Sequence, residues 1–167
     1  SKKELVQSKY KLTSIATPGG SGALSIIFSA YGNPGDKVLV PNIRWRYEYF
    51  TKTARMYIHE HNLFKNDVFD IEDFKKQLKF LSDHQKRVIV VINDPCHNPT
   101  GYQLSSDEWS KIINIVNELE NNEIIITYDL AYFDYDPNGY EQARKTFEYF
   151  LKLKNEQILV PQNAHLF

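Results

Sequence analysis

The chain has 167 residues, 42% of them hydrophobic, and a formal net charge of −1, which suits one folded domain and argues against a disordered chain. Its 20 basic and 21 acidic residues argue against a nucleic-acid partner, because neutralising phosphates needs a basic excess. One cysteine excludes an internal disulfide, and the sequence has neither an 18-residue apolar run nor an apolar leader. We therefore expect a cytoplasmic protein with no membrane partner.

Short β-rich runs alternate with segments of helical periodicity. The predicted strands are residues 37–40, 56–60, 87–92, 123–128 and 157–160. The predicted helices are residues 22–31, 46–55, 70–81, 105–121 and about 140–154, with Asp70 as an N-cap and a capping box at Ser105 and Glu108. Continuously apolar strands are typical of a sheet that is covered on both faces. The order predicts a three-layer α/β/α fold with a mostly parallel sheet.

Parallel sheets bind ligands at the loops that follow their strands or precede their helices, and the glycine-rich segment 17–24 (TPGGSGAL) is the first such loop. Glycines before a helix leave backbone amides open to an anion, and Ser21 adds a hydroxyl donor. A plain capping turn explains the segment about equally well.

The second loop, residues 93–101 (NDPCHNPTG), follows the most apolar strand. Its two prolines predict an extended, rigid course that would hold the amide of Asn98 toward a ligand oxygen. An ordinary Asx turn is the alternative interpretation.

The third loop, residues 128–132 (YDLAY), places Asp129 at the end of a buried strand. A buried carboxylate needs a cation or hydrogen-bond donors, and a protonated heterocyclic nitrogen would serve. Tyr132 adds a phenol, while a simple cap or turn remains the alternative role for Asp129. Together the three loops supply the groups that a pyridoxal phosphate site requires.

Segments 17–24, 97–101 (HNPTG) and 129–132 (DLAY) resemble the three signatures of pyridoxal phosphate-dependent aminotransferases of the aspartate/aromatic group (class I, fold type I). They occur in that family's order and at about its spacing, and the resemblance covers most of residues 17–160. It implies the family's large, cofactor-binding domain, pyridoxal 5′-phosphate as the cofactor, and an amino acid and a 2-oxo acid as substrates. It also implies a homodimer for the complete enzyme.

The resemblance also implies roles for individual residues. Gly19, Gly20 and Ser21 would hold the cofactor phosphate, Trp45 would stack on the pyridine ring, Asn98 and Tyr132 would bind the ring 3′ oxygen, and Asp129 would pair with the ring nitrogen. Family members usually carry a histidine shortly after the stacking tryptophan, close to the aspartate, and Glu48 occupies about that position here.

The end of the sequence departs from the family pattern. The family's Schiff-base lysine follows the strand that corresponds to residues 157–160, whereas no lysine follows Lys154. We therefore expect residues 1–167 to be a partial large domain, with the N-terminal arm and small domain absent, no catalytic residue, and no turnover by this chain alone.

Two other interpretations are weighed against this one. The chain could be a non-catalytic module that binds pyridoxal phosphate or another phosphorylated metabolite. His59 and His61 place two imidazoles on one face of a strand, but with no third ligand a solvated edge is favoured, and no metal site is expected.

Overall fold

The computed structural model describes residues 14–119, 122–136, 141, 145–146, 148–149 and 157–159. The first half contains helix α1 (Gly19–Tyr31), strand β1 (Lys37–Pro41), helix α2 (Glu48–Thr53), strand β2 (Tyr57–His61) and the short strands β3 (Phe64–Lys65) and β4 (Val68–Phe69). Helix α3 (Ile71–His84), strand β5 (Arg87–Asn93), helix α4 (Ser106–Asn117), strand β6 (Glu123–Asp129), a 3-10 turn (Phe133–Tyr135) and strand β7 (Gln157–Leu159) follow.

Five strands form one sheet in the order β2-β1-β5-β6-β7, and every neighbouring pair is parallel. The central pair, β5 and β6, is in register from Arg87 opposite Glu123 to Asn93 opposite Asp129. Because the carboxyl ends of parallel strands share one edge, the loops after β1, β5 and β6 meet there. The prediction of a mostly parallel sheet is confirmed.

Apolar side chains cover the sheet on both faces. On one face, helices α3 and α4 pack Phe74, Leu78 and Trp109 against strand residues that include Val90 and Ile126. On the other face, helix α1 packs against the alternate strand residues, whose side chains point to that face. The members of this second cluster include Leu24, Ile27, Phe28, Val38, Ile89 and Ile125. The two clusters make the three layers that the continuously apolar strands predict.

The predicted caps are present in the structure. The Oδ1 atom of Asp70 accepts from the N–H of Asp73 at 3.1 Å. Ser105 and Glu108 form a reciprocal capping box, since each side chain accepts from the other residue's backbone N–H. These bonds satisfy helix N-terminal donors that would otherwise lack partners and fix the starts of α3 and α4.

Several boundaries differ from the sequence-based expectations. Helix α1 begins at Gly19 rather than residue 22, and α4 ends at Asn117 rather than residue 121. Most of the helix predicted over residues 140–154 lies outside the described residues. The solvated edge expected for His61 is wrong, because its side chain is buried against the rings of Phe69 and Phe74.

In the part of the chain that the structure describes, no helix is both long and apolar enough to cross a membrane. The same residues contain no group of three or more His, Cys, Asp or Glu side chains placed to hold a metal ion.

Candidate functional site

Asp129 is the last residue of β6 and is only 8% exposed. Its Oδ2 atom accepts from the hydroxyl of Tyr47 at 3.0 Å, and its Oδ1 atom accepts from the N–H of Ala131 at 3.1 Å. Burial raises the pKa of Asp129, and these two hydrogen bonds oppose the rise. Ion pairs within residues 14–119 and 122–136 involve other carboxylates. Asp129 therefore has hydrogen-bond donors but no counter-charge among the described residues, and a cationic ligand would supply one.

Tyr47 is the partner of Asp129 that sequence reasoning missed. Its side chain is 1% exposed, and burial together with the nearby Asp129 carboxylate raises the pKa of its phenol well above the usual value. Glu48, expected near the aspartate, instead forms an ion pair with Arg44. The residue beside the acid is thus a neutral hydrogen-bond donor, which favours the ionised form of Asp129.

Trp45 lies in the loop after β1, two residues before Tyr47. Its ring stacks on Phe50 with centroids 5.6 Å apart, and it meets the ring of Tyr47 edge-on at 5.8 Å. The side chain is nevertheless 38% exposed. An indole held by aromatic neighbours and still open to solvent can offer a flat apolar surface to a ring ligand.

Asn98 and Tyr132 are hydrogen-bonded to each other across the loops that follow β5 and β6. The Nδ2 atom of Asn98 donates to the hydroxyl oxygen of Tyr132 at 2.8 Å. The expected extended course of this loop is wrong, because the N–H of Gly101 donates to the carbonyl of His97 and the N–H of His97 donates to the carbonyl of Tyr102. These two bonds fold residues 97–102 into a turn that presents Asn98 to the next loop.

Gly19, Gly20 and Ser21 form the first turn of α1 rather than a loop before it. Gly19 has φ of +65°, a conformation in which a side chain is strained, and a Cβ on Gly22 would lie 2.6 Å from the Cδ of Pro18. Pro18, the N-cap, supplies no side-chain hydrogen bond to this turn. The N-cap residue therefore adds no side-chain acceptor at the positive end of the helix dipole.

The direction of α1 places this turn at the same edge of the sheet as Asp129. Arg87, at the start of β5, donates to the carbonyl of Tyr31, which fixes the end of α1 near the amino edge. The helix has 13 residues, about 20 Å at the usual rise, so its N-terminus reaches the carboxyl edge. The residues with predicted ligand roles thus share one edge, and those roles stay predictions.

Comparison with known proteins identifies the family. Residues 2–138 match the family model described as aminotransferase class I and II. The chain belongs to this family. It is 31% identical over 134 residues to the histidinol-phosphate aminotransferase of Sulfurisphaera tokodaii, covering 80% of this chain and 35% of that protein. It is 28% identical over 120 residues to the aromatic-amino-acid aminotransferase of Pseudomonas aeruginosa, covering 70% of this chain and 29% of that protein.

Solved aminotransferases have the same fold as this chain. An aminotransferase from Anaerococcus prevotii aligns with a TM-score of 0.83 and 33% identity, covering 89% of this chain and 38% of that one. The aromatic-amino-acid aminotransferase of Burkholderia pseudomallei, solved covalently bound to pyridoxal phosphate, aligns with a TM-score of 0.68 and 22% identity over 86% of this chain and 35% of that one, a likeness that shows the fold alone. The chain therefore spans about a third of the length of the relatives it matches.

Proposed function

We propose that this chain is the pyridoxal 5′-phosphate-binding core of an aminotransferase that moves an amino group between an amino acid and a 2-oxo acid. The observation that carries the proposal is Asp129, a buried carboxylate with two hydrogen-bond donors and no ion pair in the described part of the chain. A protonated ring nitrogen would supply the positive charge that this carboxylate lacks. Membership of the aminotransferase class I and II family supports the same cofactor.

The chemistry of the donor set fits the ring nitrogen, the 3′ oxygen and the phosphate of the cofactor. Asp129 would hold the ring nitrogen, and the hydrogen-bonded pair of Asn98 and Tyr132 would hold the ring 3′ oxygen. Trp45 would cover one face of the ring. The phosphate would be held by the first turn of α1, which comprises Gly19, Gly20 and Ser21.

When bound, pyridoxal phosphate supplies a cationic ring that takes up electrons released at the α-carbon of an amino acid. Asp129 keeps a proton at the ring nitrogen because a carboxylate favours the charged form of that nitrogen. Tyr47 holds the carboxylate in the orientation seen here and favours its ionised state. The indole of Trp45 excludes water from the face that it covers.

We propose further that the 167-residue chain binds the cofactor without catalysing transamination. The family resemblance implies that the lysine that binds the cofactor covalently follows the strand at residues 157–160, and no lysine follows Lys154 in these 167 residues. Substrate binding, a homodimeric assembly and a cytoplasmic location are proposed for the complete enzyme.

Calorimetric titration with pyridoxamine 5′-phosphate tests the proposal. This form of the cofactor has no aldehyde, so it does not react with surface lysines. We expect one saturable site per chain and weaker binding of unphosphorylated pyridoxamine, because the helix turn would lose its anion. Equal binding of both compounds would contradict the proposed phosphate contact at the helix turn. Binding of a simple phosphate ester as tightly as the cofactor would contradict the proposed ring contacts.

The variant Asp129→Ala tests the acid itself. Loss of a buried, hydrogen-bonded charge contact should weaken the affinity by roughly 2 kcal/mol or more, about 30-fold. Asp134→Ala is the matched control, because Asp134 lies in the same loop and is exposed. We expect the control to bind like the parent chain. Unchanged affinity in Asp129→Ala would remove the basis of the assignment.

A further inference from the structure

Asn93 ends strand β5 directly opposite Asp129 in the β5–β6 register. Its side chain is 7% exposed and is not among the ligand-contacting residues proposed above. The Nδ2 atom of Asn93 donates to the backbone carbonyl of Asp129 at 2.9 Å, and its Oδ1 atom accepts from the backbone N–H of Asn98 at 2.7 Å.

The orientation of this amide is determined by its partners. A backbone carbonyl can only accept and a backbone N–H can only donate, so exchanging the oxygen and nitrogen of Asn93 would break both bonds. An aspartate at this position could accept from Asn98 but could not donate to Asp129 when ionised. The site therefore uses both halves of an amide.

These bonds join the two halves of the candidate site. Asn98 contacts Tyr132, which completes the pair for the ring 3′ oxygen, while Asp129 is the acid for the ring nitrogen. The carbonyl of Asp129 also accepts from the N–H of Asp94 at 3.2 Å, so two donors fix the backbone where β6 ends. The Asn93 side chain therefore connects the backbone of the acid directly to the backbone of the Asn98–Tyr132 pair.

We propose that Asn93 is a positioning residue that holds Asp129 and Asn98 at the spacing required by the ring nitrogen and the 3′ oxygen of one pyridine ring. The inference rests on the proposed cofactor function. It assigns to Asn93 no contact with the cofactor, because its Nδ2 and Oδ1 atoms both bond to the backbone of the two loops.

The test compares Asn93→Ala with the matched variant Asn122→Ala in the full chain. Asn122 also ties backbone segments together, since its Nδ2 atom donates to the carbonyls of Ser82 and Gln85 at 2.7 and 3.2 Å. It lies just before the start of β6, at the other edge of the sheet. Both variants lose side-chain bonds to backbone, but only one of them alters the candidate site.

Affinity and absorption of bound pyridoxamine 5′-phosphate are the first two measurements. Asn93→Ala should bind at least about tenfold more weakly. It should also shift the absorption of the bound ligand, which reports the ionisation of the ring nitrogen and 3′ oxygen. Asn122→Ala should match the parent chain in both. Equal losses in the two variants, or parent-like binding and absorption by Asn93→Ala, would overturn the inference.

A double variant tests whether Asn93 acts through Asn98. In an Asn98→Ala background, Asn93→Ala should cost less affinity than it does alone, because the Asn98 side chain that Asn93 positions is already absent. Fully additive losses would contradict a positioning role.

Amide hydrogen exchange in the ligand-free chain separates the inference from the proposed function. The Asn98 N–H should be protected in the parent and in Asn122→Ala and unprotected in Asn93→Ala.

If the parent chain fails to bind pyridoxamine 5′-phosphate, the proposed function fails. The exchange measurement still tests the bridge, that is, the hydrogen bonds that connect Asn93 to Asp129 and Asn98. Rapid exchange of the Asn98 N–H in the parent chain would overturn the bridge independently of any ligand.

Discussion

The hydrogen bond from Tyr47 to Asp129 can be removed with little change in packing by Tyr47→Phe. The bond is 3.0 Å long, and both side chains are buried. Phenylalanine keeps the ring that meets Trp45 edge-on. A buried hydrogen bond to a charged group contributes roughly 1.5–3 kcal/mol. We expect the free energy of unfolding at neutral pH to fall by about that amount.

The penalty should depend on pH, with a sign that follows from the pKa of Asp129. Burial raises that pKa above its unfolded value, so the folded state binds the proton more readily, and stability falls as the pH rises through the folded pKa. The Tyr47 bond opposes this rise, and Tyr47→Phe should push the pKa of Asp129 still higher. The penalty should therefore be smallest in acid, where Asp129 is protonated in both proteins, and grow toward neutral pH.

Urea unfolding followed by tryptophan fluorescence at several pH values provides the assay. Tyr49→Phe is the control, because Tyr49 lies in the short helix that begins directly after Tyr47 and is exposed. Its cost should stay below about 0.5 kcal/mol. A Tyr47→Phe penalty that is equally large at every pH would refute the charge-dependent part of this reasoning. A penalty no larger than that of Tyr49→Phe would refute the bond itself.

Two further predictions concern the helix turn and a buried histidine. Gly19→Ala should lower the free energy of unfolding by roughly 1 kcal/mol because Gly19 has a positive φ, and it should weaken phosphate binding. Urea unfolding and ligand titration measure the two effects. An Ala variant as stable as the parent would contradict the prediction. Burial lowers the pKa of His61 to about 4, so the unfolded state binds its proton first on acidification, and stability is lost as pH falls from about 6.5 to 4, by up to roughly 3 kcal/mol. His61→Phe should flatten the stability profile over that range, whereas an unchanged slope would show that His61 does not titrate as its burial predicts.

The sheet was predictable because its signals are local. Residues 88–92 of β5 and residues 124–126 of β6 are continuously apolar in sequence, as expected of strands that are covered on both faces. Asp129 could be found for this reason, as the first charged residue after a buried run. The N-caps of α3 and α4 were also predictable from the sequence, since each depends on two residues three positions apart.

The partner of Asp129 was not predictable in this way. Tyr47 is 82 positions away from Asp129 in sequence, and it stands in an aromatic stretch where several rings have the same local pattern. Only the packing of the loop after β1 shows which ring faces the acid. The family's histidine position led instead to Glu48, whose charge is taken up by Arg44.

Two local errors have related causes. The prolines in residues 93–101 restrict their own φ angles and those of their neighbours, but the turn is made by bonds that close across residues 97–102. A solvated edge was expected for His61 because the sequence offers no third metal ligand beside His59 and His61. The strands β3 and β4, each of two residues, are too short to show periodicity, and Phe69 from β4 helps bury the imidazole.

The pairing of Asp129 with a ring nitrogen can be tested by nuclear magnetic resonance on pyridoxamine 5′-phosphate labelled with ¹⁵N in the ring. The chemical shift of that nitrogen distinguishes its protonated and neutral forms. In the complex with the parent chain at mildly alkaline pH, we expect the protonated form, and in the complex with Asp129→Ala the neutral form. A neutral ring nitrogen in the parent complex, or the same shift in both complexes, would contradict the assignment.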